Sequence, residues 1–249
     1  MKIIGVYNIK GGVGKTAAAV NFSYLAAEEG KKTLLCDFDP QAAATFYFKV
    51  NDSESSSKHL LKGKSDLTEM IRETEYENLD ILPADFSYRN LDIMLDDLNN
   101  SKKKLDSLLR PLKDDYDFVF IDCPPSISLV SENIFNAVDF LLVPTVPTTL
   151  SLRTYDEIIN FFEKSKLDSG MIIPFFSMVE RRKNMHLESM DSFSKTAKRV
   201  CKNYIPYQSD VEKMGIHQEP VCYTKPNSIA SRSFKLVWSE IKRKIAPKK

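Results

Sequence analysis

The sequence has no cysteine pair at CxxC spacing. Cys36, Cys123, Cys201 and Cys222 stand apart, which speaks against a zinc site. They read as buried or incidental thiols of a reducing cytosol. The three histidines, His59, His186 and His217, show no ligand spacing. No apolar run approaches the ~20 residues that cross a bilayer. The opening Met1-Lys2, apolar stretch and glycine loop do not have the layout of a secretory signal, so a cytoplasmic location is expected. Net charge is also nearly absent, at +1. The chain as a whole is therefore no polyanion binder, and any nucleic-acid contact must come from local patches. Internal repeats are lacking too.

What is present is an ordinary globular composition, 43% hydrophobic and 28% charged over 249 residues. Short apolar runs at 2–8, 33–38, 79–83, 117–122 and 140–145 predict buried strands, and 171–179 predicts another. The alanine-rich segment 15–29 predicts a helix that stops at Gly30. Amphipathic segments at 151–165 and 187–202 predict further helices. Strands alternating with helices imply an α/β fold, doubly wound, with a mostly parallel central sheet. One domain over 1–249 is expected. The serine-rich stretch 51–58 reads as an exposed loop.

The chemistry concentrates in "IKGGVGKT", residues 9–16. It follows a predicted strand and opens a predicted helix, the context of a phosphate-binding loop. Gly11, Gly12 and Gly14 allow a tight turn that aims backbone N–H groups at phosphate oxygens. The helix start adds its positive dipole end. Lys15 would reach the β- and γ-phosphates, and the Thr16 hydroxyl would ligate Mg²⁺. The leading glycine of the usual pattern is replaced by Ile9, and a second lysine, Lys10, stands at the loop entrance. "DFVFID" ends in Asp122, an apolar strand closing on a carboxylate that can hold Mg²⁺ through water. "CDFDPQ" places Asp37 and Asp39 at the end of another strand. Asp39 could position or polarise an attacking water, or cap the helix after it. Asp37 could serve structurally.

Charge is uneven along the chain. Residues 50–100 are rich in acid, including Asp52, Glu54 and Asp66. Basic residues gather at 181–202 and 232–249, which supplies candidate DNA contacts in Arg181, Arg182, Lys198, Arg199, Lys242 and Arg243. Solvated helix faces would carry the same residues.

Taken together, "KGGVGKT", "LLCDFDPQ", "DFVFIDCPPS" and "VPTVPTTLSL" resemble the ParA/MinD ATPases, the deviant Walker A class. "DPQ" and "ENLDILPAD" are most similar to the ParA branch. The likeness continues through "SMVERRKN" and "YIPYQSDVEKMGIHQEPVCY" to the last helix, nearly the whole chain. The resemblance implies a Mg-ATP-dependent switch in which two monomers sandwich two nucleotides and Lys10 reaches the partner's phosphates. It adds Val13, Ala17 and Pro206 to the nucleotide-binding set. It implies catalytic roles for Lys10, Lys15 and Asp39 and metal roles for Thr16, Asp39 and Asp122. It further implies non-specific DNA binding by an ATP homodimer on the nucleoid. A ParB-like or cargo-adaptor protein would stimulate hydrolysis. The chain departs from the family at Ala17, Ala42-Ala43 and Asp210.

Two other readings compete. A MinD-like membrane-associated ATPase needs an amphipathic tail. Phe234, Val237, Trp238, Ile241 and Ile245 form a helical apolar stripe, but core packing explains it more simply. The other is a metabolic P-loop enzyme or an iron–sulfur relative that couples ATP to redox chemistry, and a bridging cluster would need a second cysteine placed to work with Cys123.

Overall fold

The computed structural model describes residues 1–50, 61, 64–97 and 101–247. The stretch 51–58, with Asp52 and Glu54, and the terminal Lys248 and Lys249 lie outside the described residues, as does the Asp66 side chain.

Seven strands form one sheet: β1 (Lys2–Val6), β2 (Thr33–Asp37), β3 (Arg72–Glu73), β4 (Leu79–Leu82), β5 (Phe118–Asp122), β6 (Phe140–Thr145) and β7 (Ile172–Phe176). Their order is β3-β4-β2-β5-β1-β6-β7. All neighbours pair in parallel except the edge pair β3–β4, which is antiparallel. Six helices frame the site and its flanks: α1 (Lys15–Glu28), α2 (Ala43–Tyr47), α3 (Leu129–Ala137), α4 (Thr149–Lys164), α5 (Asn184–Thr196) and α6 (Ile229–Ile245).

The strands alternate by residue between two cores, as a pleated sheet requires. Ile3, Leu34, Val119 and Leu141 face α3 and α4, whereas Ile4, Leu35, Phe120 and Leu142 face α1 and α6. Both faces are covered, which is why these strands read as continuous apolar runs. On the second face Phe22 of α1 stacks on Trp238 of α6 at 6.0 Å between centroids, and Phe120 of β5 lies 5.6 Å from the same indole. The apolar stripe of α6 is thus spent inside the protein: Phe234, Val237, Trp238, Ile241 and Ile245 are all buried.

Helix α1 ends as its sequence predicts. Gly30 adopts a left-handed φ of 76°, its N–H bonds to the Ala27 carbonyl, and the Lys31 N–H bonds to that of Ala26. This is a Schellman stop, and the positive φ suits glycine. Helix α5 runs from Asn184 to Thr196 rather than over 187–202. Ala197 turns to extended backbone and Arg199 takes a left-handed φ of 57°, so the chain leaves the helix there. The strand within 171–179 closes at Phe176, before Met178 at φ 56°.

β1 has β5 on one side and β6 on the other, so the direction of winding changes around it. In open α/β sheets such a switch point opens a crevice at the carboxyl ends of the strands. The glycine loop leaves β1 there, and Asp37 and Asp122 end the strands next in line.

Candidate nucleotide site

The loop entrance is pinned from below. Asn8 is fully buried. Its side-chain amide donates to the Pro144 carbonyl at 2.9 Å, and its carbonyl oxygen accepts from the Lys10 N–H at 2.9 Å. The loop is thereby tied to the end of β6. Gly12 and Gly14 take φ of 70° and 88°, which an L side chain adopts only with strain. A Cβ at Gly14 would also sit 2.9 Å from the Ser177 hydroxyl.

The loop and the first turn of α1 open onto a cavity of about 460 Å³. Gly11, Gly12, Gly14, Lys15, Thr16 and Ala17 line one wall, and Asp39 and Pro206 line it from elsewhere in the chain. The predicted loop residues, Asp39 and Pro206 therefore meet in one place. Val13 is buried and lies outside the lining. Lys10 is also outside it. The Lys10 ammonium lies 3.4 Å from the Ser151 hydroxyl on the first turn of α4, while its carbonyl accepts from the Lys15 ammonium at 3.3 Å.

Asp122 is fully buried, and among the described residues neither carboxylate oxygen has a hydrogen-bond partner at normal geometry. Burial raises its pKa well above the usual carboxylate range, and the charge of Asp37 adds to this; Thr16 and Lys15 pull the other way. A buried, unpartnered carboxylate is costly unless a cation or its water shell satisfies it. Carboxylate and hydroxyl oxygens are the donors that Mg²⁺ prefers. The residues present fit that ion. Burial lowers the pKa of Lys15, opposed chiefly by Asp122. That depression reflects a lysine withdrawn from water.

Asp37 and Asp39 divide their work. The Asp37 carboxylate accepts from the Thr45 N–H and the Thr45 hydroxyl, each at 2.8 Å, and anchors α2. Asp39 accepts from the Gln41 N–H at 3.0 Å and faces the cavity, while Ala42, at φ 53°, is the helix N-cap. Asp39 is thus not the cap of α2.

Several lining residues were missed in the linear pattern: Tyr47 from α2, Ser177 just past β7, and Tyr207 and Glu212 beyond Pro206. Tyr207 donates its hydroxyl to Glu212 at 2.6 Å. Ser177 alone had a legible cue, its position at the carboxyl end of an apolar strand.

The candidate DNA contacts are dispersed. Arg181 and Arg182 line a separate groove of about 700 Å³. Lys198 borders another cavity beside α4. The Arg199 guanidinium donates to the carbonyls of Gly170 and, at 2.6 Å, Lys244. Lys242 pairs with Glu29 at 2.5 Å, and Arg243 is exposed on α6. Asp210 is held by Lys225 at 2.5 Å.

A glycine loop between a strand and a helix, a buried strand-end aspartate and a parallel sheet define a P-loop nucleoside-triphosphatase fold. The family model AAA_31, described as an AAA domain, matches residues 1–171. The sporulation initiation inhibitor protein Soj of Bacillus subtilis is 30% identical over 234 residues, covering 91% of this chain and 92% of that protein. A virulence-plasmid ParA family protein of Chlamydia psittaci is 29% identical, covering 98% of this chain and 96% of its own. Among solved structures, a plasmid partition protein from Borrelia burgdorferi bound to AMPPNP superimposes with a TM-score of 0.84 at 23% identity, over 98% of this chain and 99% of that one. The septum site-determining protein MinD of Pyrococcus horikoshii, complexed with Mg-ADP, gives 0.78 at 24% identity, over 97% and 96%. The chain belongs to the ParA/MinD-type AAA domain family of ATPases, on its ParA/Soj branch.

Proposed function

We propose that this chain, over residues 1–249, is a Mg-ATP-dependent switch that dimerises with ATP bound and separates after hydrolysis. The single observation that carries the reading is the position of Lys10. Its ammonium stays outside the cavity its own loop frames and rests at Ser151. A lysine so placed is free to meet phosphates presented across a two-fold axis, as an arginine finger does in trans.

Within one protomer, the loop N–H groups and the start of α1 would hold the phosphates and Lys15 would neutralise them. Thr16 and Asp122 would hold Mg²⁺, with Asp39 near enough to contribute. When bound, the ion screens charge on the β- and γ-phosphate oxygens. Asp39 would orient the water that attacks the γ-phosphate. Pro206 and Ala17 would flank the nucleotide.

The relatives named for partition make DNA segregation or cargo positioning the reading for this chain as well. The ATP dimer would bind DNA non-specifically on the nucleoid, in the cytoplasm. A ParB-like or cargo-adaptor protein would stimulate turnover. Arg181, Arg182, Lys198 and Arg243 are the cations available for phosphate contacts. Arg199 and Lys242 would have to exchange their present partners to join them. No described helix is long and apolar enough to cross a membrane. The buried stripe of α6 leaves the MinD-like membrane alternative without that anchor.

Sedimentation velocity with and without Mg-ATP tests the switch. A shift from monomer to dimer on adding ATP is expected, and one unchanged species in both conditions would contradict it. Retention of DNA by the ATP form, falling steeply with salt, is the test of the DNA step.

A further inference from the structure

Helix α2 has only five residues, yet it presents three distinct faces. Ala44, Thr45 and Phe48 just beyond it are buried, Phe46 is 49% exposed, and Ala43 and Tyr47 line the nucleotide cavity. Residues four apart share a helix face, so the two cavity-lining side chains follow from helical spacing alone. The face is fixed by Thr45. Its N–H and hydroxyl both donate to the buried Asp37 carboxylate, and its hydroxyl oxygen accepts from the Ala84 N–H at 2.8 Å. With Thr45 held from below, α2 cannot rotate, and Tyr47 must project toward the cavity.

Tyr47 is half-buried, and among the described residues its ring meets one aromatic neighbour, Phe46, at 6.0 Å between centroids. Among the described residues its hydroxyl has no hydrogen-bond partner. The other phenol of the same cavity, Tyr207, is already committed to Glu212. The first turn of α1 offers one hydroxyl to the cavity, from Thr16, and a bare methyl at Ala17. Burial raises the Tyr47 pKa, and the charge of Asp122 adds to it. The phenol therefore keeps its proton at neutral pH, on the wall of the cavity that also carries Asp39 and Ala43.

We infer that Tyr47 is a nucleotide-contacting residue whose hydroxyl donates a hydrogen bond to the phosphate chain of the bound nucleoside triphosphate. It would supply from α2 a neutral O–H donor opposite the glycine loop. The inference rests on the nucleotide-site reading above. Within that reading it assigns Asp37 a positioning role: Asp37 holds Thr45, Thr45 holds α2, and α2 aims the phenol.

The test is the affinity of the full chain for a fluorescent ATP analogue and for ATP by competition, in wild type, Tyr47→Phe and Tyr47→Leu. Tyr47→Phe keeps the ring and removes only the hydroxyl. Loss of one hydrogen bond to a charged group predicts about a tenfold weaker ATP affinity in Tyr47→Phe, with the wild-type melting temperature retained. Wild-type affinity in Tyr47→Phe overturns the inference. So does the same affinity in Tyr47→Phe combined with weak binding in Tyr47→Leu, because the ring alone would then be the contact. A wild-type chain that binds no ATP would sink the nucleotide-site reading itself, a distinct outcome. Thr45→Val, which removes the hydroxyl that bridges Asp37 and the Ala84 N–H and leaves only the backbone N–H on Asp37, should weaken ATP affinity in the same direction as Tyr47→Phe if α2 is aimed as described. Unchanged affinity there contradicts the positioning role.

Discussion

Asp37 and Asp122 stand side by side in register at the ends of β2 and β5, and both carboxylates are buried. They differ in what satisfies them. Asp37 has Thr45 and a backbone N–H from Asp39, whereas among the described residues Asp122 has only the pull of Thr16 and Lys15 and no hydrogen bond of normal geometry. One carboxylate is built into the fold, and the other is left without such partners.

This pairing has a pH consequence. Burial pushes Asp37 up to about 6 from the ordinary 3.8, against the hydrogen bonds from Thr45. A carboxyl with a raised folded-state pKa favours the fold while it is protonated. That contribution is complete below a pH of about 4 and is lost as pH rises through about 6. In the metal-free protein, denaturant midpoints should therefore record a loss on the order of 3 kcal/mol across that window. Asp37→Asn keeps an acceptor for Thr45 and should give a shallower slope. An identical slope in the variant would refute the assignment.

Lys15→Ala removes the only lysine ammonium among the described residues that line the cavity. A charge-assisted phosphate contact contributes about 1.5–3 kcal/mol, so ATP affinity should fall about 10- to 150-fold. Isothermal titration reads this directly, and near-wild-type affinity would exclude Lys15 from the phosphate site.

Asp39→Ala should bind ATP and dimerise but turn over at least about 100-fold more slowly. The ATP-loaded dimer would then persist through gel filtration in wild-type buffer. Wild-type turnover would remove Asp39 from the catalytic set.

Asn8 bridges the loop and β6 through two hydrogen bonds. Asn8→Ala leaves the Pro144 carbonyl and the Lys10 N–H without their partner, at a cost of about 1–3 kcal/mol. Urea unfolding should show this loss. A change of less than about 0.5 kcal/mol would show that the loop is held by other contacts.

The parts of this fold that the linear pattern reveals are those with a strong local cause. Buried strands such as Phe118–Asp122 are continuous apolar runs because helices cover both faces. Strand β3 is two exposed, charged residues, Arg72 and Glu73, and its pairing comes from β4 rather than from its own composition. Helix α2 has no capping side chain, since its N-cap is Ala42, and its anchor, Asp37, lies eight positions away in sequence. Tyr47 was hidden for that reason.

The loop and Asp39 were legible together because strand ends converge at a switch point, whereas Pro206 came only with the family resemblance. The basic clusters were less so. Proximity in sequence placed Arg199 with Lys198, but the fold turns Arg199 inward onto carbonyls and sets its guanidinium 5.4 Å from the Phe140 ring. Charge density along a chain does not say which cations a fold consumes.

The role given to Lys10 is tested most directly by the assembly state of Lys10→Ala with Mg-ATP. Because Lys10 lies outside its own cavity, the variant should bind ATP within about twofold of wild type yet remain monomeric in sedimentation velocity, where wild type dimerises. A Lys10→Ala chain that forms the ATP dimer as wild type does would contradict a lysine acting across the interface.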